Sequence, residues 1–260
     1  MTQKTISLNV ILRYGKRRIT TTFKTALLIL TKGYYDAPSY SFSYYKYFLR
    51  LMTNANFKFY SVKDFLLSYR KNEVHQKSVI LRHDVDVNPL NALKLAQIEK
   101  RYGVTSTYYF RLKSQFYKFN HTTTKIIRKI YDLGFEIGYH YECYTLHNGN
   151  KHLAIEEFTK SLEKLRQIVP IYTICAHGAR KDMKNYEMWD NMDELTKYNL
   201  IGEAFLSILF NEEIRKNLVY ISDSFNGWEQ KLKDFIKRNL NAQNTPILYI
   251  NRHPYLFYPI

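Results

Sequence analysis

The chain has 260 residues and carries 39 Lys and Arg against 23 Asp and Glu, a formal charge of +16 at pH 7. With 45% hydrophobic and 24% charged residues it has the composition of a globular protein, which excludes a disordered chain, and its length suits one large α/β domain. The longest purely apolar run near the N-terminus, residues 26–30, is far short of the roughly 20 residues that a membrane span needs. No small-residue cleavage site follows it, so the expectation is a cytoplasmic protein.

Charge is uneven along the chain. Residues 1–50 hold nine Lys and Arg and a single acid, Asp36, and so supply half of the net charge. Eight aromatics then crowd residues 34–48. The plain reading is a basic, aromatic N-terminal extension: a solvated arm followed by an aromatic helix. No helix-turn-helix, zinc-finger or RNP pattern accompanies the charge, so nucleic acid is not an expected partner. Peripheral contact with the inner face of a membrane is one that this segment suits.

From residue 78 onward, short β-branched or aromatic runs alternate with helical patterns. Residues 78–83 (SVILRH) read as a strand, and Asn88-Pro89 opens a helix that stops at Gly103. A strand at 106–111, a helix at 122–133, a strand at 135–140 and an amphipathic helix at 153–168 follow. Further strands are expected at 172–177, 200–205, 218–222 and 247–252, with helices at 186–197 and 227–240. Seven strands with helices between most of them predict a parallel sheet, open or closed as a barrel.

Rare polar residues recur at the carboxyl ends of these strands: His83-Asp84-Val85-Asp86, His140-Tyr141-Glu142, His177-Gly178 and Arg252-His253. In a parallel α/β sheet those ends share one face, where such folds place their sites. Four histidines and three acids gathered there suit a metal site with flanking acid/base groups. Strand alternation puts Asp84 and Asp86 on one side, so that one can bind metal while the other accepts a proton. His140 and His177 are candidate ligands, and His253 is a candidate proton donor. Glu142 and His147 lie near enough in sequence to join. Cys143 and Cys175 lack a paired C-x-x-C element and read as small buried thiols, reduced and unbridged.

The segments LRHDVDVNPLNALKLAQIEKRYGVTSTYYFR (81–111), GFEIGYHYE (134–142), TICAHGAR (173–180) and INRHP (250–254) resemble, in order, the motifs of the polysaccharide deacetylase (NodB-homology) superfamily. The resemblance spans about residues 55–255. It implies an α/β fold, a distorted β/α barrel of about seven parallel strands over residues 51–260. It also implies a metal-dependent hydrolase removing an acetyl group from an N-acetylated sugar or glycan precursor. By the same resemblance Asp84 is the general base, Asp86 and His140 are metal ligands, and His253 is the general acid. The family's second motif carries two histidines four residues apart, and here the later position is Tyr144. The third ligand is then His177, with Glu142 or His147 as alternatives. Arg180 stands near the place of the family's base-orienting arginine, and Trp228, in the segment DSFNGW, is available to stack on a sugar ring. Mixed oxygen and nitrogen ligation suits a divalent ion such as zinc. The altered ligand set keeps a second expectation open: a catalytically inactive carbohydrate-binding or polysaccharide-assembly protein on the same barrel.

Overall fold

The computed structural model describes residues 40–178 and 182–257. The chain divides into two compact units, Met1–Leu51 with Leu256–Ile260, and Met52–Tyr255. In the first, the aromatic helix α1 (Phe42–Asn54) begins, and the rings of Phe42 and Tyr45 pack on Phe257 at centroid distances of 5.7 and 5.3 Å. Most of the basic extension, residues 1–39, lies outside the described residues.

The second unit is built on a curled, entirely parallel sheet. Its strands are β1 (Lys58–Tyr60), β2 (Ser78–Val85), β3 (Thr107–Phe110), β4 (Glu136–Tyr141), β5 (Thr173–Ala176), β6 (Gly202–Glu203), β7 (Leu218–Ser222) and β8 (Ile247–Arg252). Seven of them follow the order β6-β5-β4-β3-β2-β8-β7, and β1 pairs with the first half of β2. The architecture is the expected barrel-like α/β fold, a half-barrel flanked by helices.

Local chemistry places the longer helices. Asn88 caps α3 (Pro89–Arg101) by accepting from the Asn91 amide, with Pro89 in the first turn. Asn120 caps α4 (His121–Asp132) and Asn150 caps α6 (Lys151–Arg166) in the same way; a short turn, α5 (Cys143–Leu146), precedes α6. α2 (Val62–Arg70) follows β1 with Ser61 as its cap. The short α7 (Glu212–Arg215) and then α8 (Trp228–Asn239) flank β7.

Several elements depart from expectation, and α2, α5 and α7 join them as helices without a counterpart in the sequence reading. The helix expected at 186–197 is two 3₁₀ segments, Asn185–Met188 and Met192–Tyr198. Trp189 turns extended between them, and Asn191 caps the second through the Glu194 amide. The strand expected at 200–205 shrinks to two residues because the Glu203 carboxylate accepts from the amides of Phe205 and Leu206 and bends the chain into a helical turn. β1 was not foreseen, since three residues are too few for alternation to register.

Alternation sorts the sheet's two faces. Ile80, Tyr109, Cys175 and Tyr249 belong to the apolar cluster inside the curl, with Phe65 and Leu66 of α2 and Ile208. Gly138 on β4 belongs to this packing: a Cβ there would lie 2.2 Å from the Tyr109 ring. Only glycine lets that ring reach Thr173, whose hydroxyl it meets at 2.8 Å.

Candidate metal centre

The carboxyl ends of β2, β4, β5 and β8 bring together five side chains: Asp84, Asp86, His140, His177 and His253. Parallel registry does the positioning. β2 lies between β3 and β8, and His140 on β4 is paired with Cys175 on β5, two residues before His177. His140 Nε2 stands 3.5 Å from Asp86 Oδ1 and 3.9 Å from Asp84 Oδ2. His177 Nε2 stands 3.7 Å from the same Asp86 oxygen. On the other side, His253 Nε2 is 3.6 Å from Asp86 Oδ2 and 4.0 Å from Asp84 Oδ2.

Among the described residues, Asp86, His140 and His177 each offer a ligand atom, all within 4.8 Å of one another. Asp86 Oδ1 is buried yet has no hydrogen-bond partner. An orphaned carboxylate oxygen is costly, and a cation between it and the two imidazoles removes that cost. The His140 ring is set by its Nδ1, 2.9 Å from the Cys175 carbonyl, which turns Nε2 toward the acids as metal-binding histidines require. The residues present therefore fit a divalent ion. A second combination, Asp84, His140 and Cys175, also lies within reach. Its thiol is engaged by Arg82 Nη1 at 2.9 Å, and burial pushes the thiol's pKa well up, so it is the poorer ligand set.

The electrostatics separate the two aspartates. Burial works against charge on Asp84, but Arg82, His140, His253 and the Asn251 amide together outweigh it and hold its carboxyl at about 2. Arg82 Nη2 lies 3.5 Å away, and Asn251 Nδ2 donates to Asp84 Oδ2 at 2.7 Å. Asp86 goes the other way: burial, reinforced by the charge of Asp84, raises it against the pull of His140 and His253. His177 is driven down to about 2 by burial and by His140 and Arg111, leaving a neutral imidazole suited to ligation. His253 is raised to about 9. Burial opposes its charge, but hydrogen bonding and attraction to Asp223, helped by Asp84 and Asp86, prevail.

Comparison with known proteins is sparse in sequence. No family model and no curated protein matches the chain. Among solved structures, a mutant CE4 family pseudoenzyme with restored enzymatic activity aligns with a TM-score of 0.43 and 12% identity, over 68% of this chain and 56% of that one. The Streptococcus pyogenes deacetylase PplD, in complex with acetate, aligns at 0.42 and 16%, over 55% of this chain and 66% of that one. A wild-type CE4 family pseudoenzyme from Bacillus anthracis aligns at 0.41 and 11%, over 68% and 54%. The chain thus spans between about half and two thirds of the length of these proteins.

Several expected residues sit elsewhere. His83 does not join the other histidines. It occupies the opposite face of β2, where Nε2 meets Glu99 Oε1 at 2.6 Å and the ring stacks on Tyr108. Adjacent strand residues must point to opposite faces, so His83 and Asp84 cannot share a site. Trp228 is only 4% exposed, and the Arg252 guanidinium covers its ring at 4.0 Å, which corrects the expectation of a face open to a sugar. Arg180 lies outside the described residues. His147 is half-buried at the end of α5, apart from the cluster. Glu142 faces the cluster without being its nearest ligand: its Oε2 is 3.6 Å from His177 Nδ1, and Arg111 forms a paired ion contact with it. Both cysteines are buried and unbridged.

Four contributors escaped sequence reasoning, the first being Arg82 beside Asp84. Arg111, the first residue past β3, approaches Asp86 Oδ1 at 3.8 Å. Asn251 orients Asp84. Asp223, past the end of β7, accepts from the His253 backbone amide at 2.8 Å and pairs with its Nδ1. Asn251 is accessible by strand parity with Tyr249. Arg111 and Asp223 each lie one residue past their strands, where parity no longer fixes the direction of a side chain.

Proposed function

We propose that the chain is a metal-dependent hydrolase that removes an acyl group, in the first instance acetyl, from the nitrogen of an amino sugar or glycan precursor. The observation that carries this reading is the buried Asp86 Oδ1, which has no hydrogen bond and faces two imidazoles, with a low-pKa carboxylate on one side and a high-pKa imidazole on the other. Asp86, His140 and His177 would hold the divalent ion, zinc by the character of the donors. A divalent ion held there supplies Lewis acidity toward the amide carbonyl and toward water.

The chain's own groups do the proton work. Asp84, held ionised by Arg82 and fixed by Asn251, accepts the proton of the attacking water. His253, kept protonated by Asp223, donates a proton to the departing sugar nitrogen. Two titratable groups with pKa values pushed apart in one site are what assign acid and base. Arg111 and Glu142, locked to each other, brace His177 and Asp86. Purified protein assayed for metal content and for acetate release from N-acetylated sugars tests the reading. One divalent ion per chain, with activity abolished in Asp84→Asn, is the expected result. Absence of metal, or full activity in that variant, overturns it.

The second reading is a glycan-binding protein without turnover. Tyr144 standing where the resembled family has a second histidine favours it. A metal-free chain that still binds N-acetylated glycan would select it.

A further inference from the structure

An open cavity of about 470 Å³ lies between the loop that follows β3 and the outer face of α6. Four lysines line it: Lys113 and Lys118 from the loop, Lys160 and Lys164 from the helix. On α6, Glu157, Lys160, Ser161 and Lys164 recur at helical spacing and so form one face. Glu157, the one acid in the lining, is 3.3 Å from Lys113, and Lys160 pairs with Glu156 just outside the cavity. Among the described residues no carboxylate lies within ion-pair distance of Lys118 or Lys164. Lys164 instead rests over the Phe119 ring at 5.1 Å. The cavity therefore keeps a surplus of positive charge beside an aromatic wall.

Its loop is fastened to the metal centre. Ser114 Oγ donates to the Asp86 carbonyl at 2.7 Å, and the Tyr117 hydroxyl donates to the Val85 carbonyl at 3.1 Å. A ligand seated among the lysines would touch the segment that holds the end of β2. Concave surfaces lined by one sign of charge concentrate ions of the other sign, and two lysines one helical turn apart can each meet a phosphate group.

We propose that this cavity receives a phosphate or diphosphate group attached to the substrate. The substrate of the centre next to it would then be a phosphorylated sugar rather than a neutral glycan. The inference rests on the hydrolase reading for the word substrate, but its test does not need turnover. Full-length protein, stripped of metal by chelation, is titrated with sodium pyrophosphate by calorimetry. The titration is repeated on K118E/K164E, on a charge-matched control with both changes far from the cavity (K94E/K231E), and on D86N. All four lysines are exposed, so the folds should survive, which circular dichroism checks.

Saturable binding that weakens at least tenfold in K118E/K164E, and stays within about twofold in the control and in D86N, is the expected result. Equal weakening in both lysine pairs reduces the effect to net charge and overturns the proposal. So does binding lost only in D86N, which puts the anion at the metal centre. A parallel arm measures sedimentation with phosphatidylglycerol vesicles. If the cavity variant loses these vesicles while pyrophosphate never binds, the phosphate is that of a lipid headgroup; if neither probe depends on the cavity, the proposal fails. Pyrophosphate binding at the lysines in a chain that hydrolyses no N-acyl sugar leaves the cavity assigned and removes the hydrolase reading alone.

Discussion

Arg82 and Asp84 lie two residues apart on one face of β2, and the guanidinium of the first stands 3.5 Å from the carboxylate of the second. Arg82 is fully buried, held between the Phe205 and Tyr249 rings, with Tyr220 Oη at 3.2 Å. A single strand thus carries both the candidate base and the cation that keeps it ionised.

Arg82→Met strips one partner from a buried ion pair and should cost about 3–5 kcal/mol in urea unfolding at neutral pH. The sign of its pH dependence follows from Asp84. A carboxyl lowered from 3.8 to about 2 supplies stability above the higher value and loses it as pH falls through the lower one. The gap between wild type and variant should therefore narrow as the medium is acidified toward pH 2.

Chelated protein should take up one zinc ion per chain by calorimetric titration. Asp86→Asn, His140→Ala and His177→Ala should each abolish uptake. Glu142→Gln should weaken it only about 10- to 100-fold, the usual effect of removing a partner that orients a ligand. Abolition in Glu142→Gln instead would make that carboxylate the third ligand.

In the metal-free protein the His253 imidazole should titrate near 9 by NMR, and Asp223→Asn should bring it down. A histidine raised in the folded state adds stability that is complete below its ordinary 6.5 and disappears as pH climbs through about 9. Thermal unfolding of the metal-free chain should accordingly weaken between those values, and Asp223→Asn should flatten that slope.

Gly138→Ala drives a methyl into the Tyr109 ring and should cost about 1–3 kcal/mol, as overpacking does. Combining it with Tyr109→Leu should recover part of that loss, and denaturant unfolding of the four species measures the coupling.

The alternation of short strands and helices was enough to read a parallel sheet from residue 78 on, because strand and helix periods differ sharply. The shared carboxyl face of a parallel sheet was enough to bring Asp84, Asp86, His140, His177 and His253 to one place. What failed depended on contacts that a segment's composition does not display. His83 is as polar as its neighbour, and only the pleat tells that it belongs to Glu99 on the outer face. Trp228 looked open to ligand because nothing in its own segment shows that Arg252, 24 residues on, covers it. The 200–205 run had the composition of a strand, and one carboxylate reaching its own following amides cut it to two residues.

That same carboxylate, Glu203, also accepts from the Ala176 amide at the end of β5. The margin of the sheet at β6 is therefore two residues long, and its next amides are already taken. An incoming strand from another molecule finds almost no ladder to extend there, so this side of the sheet is protected against edge-to-edge aggregation.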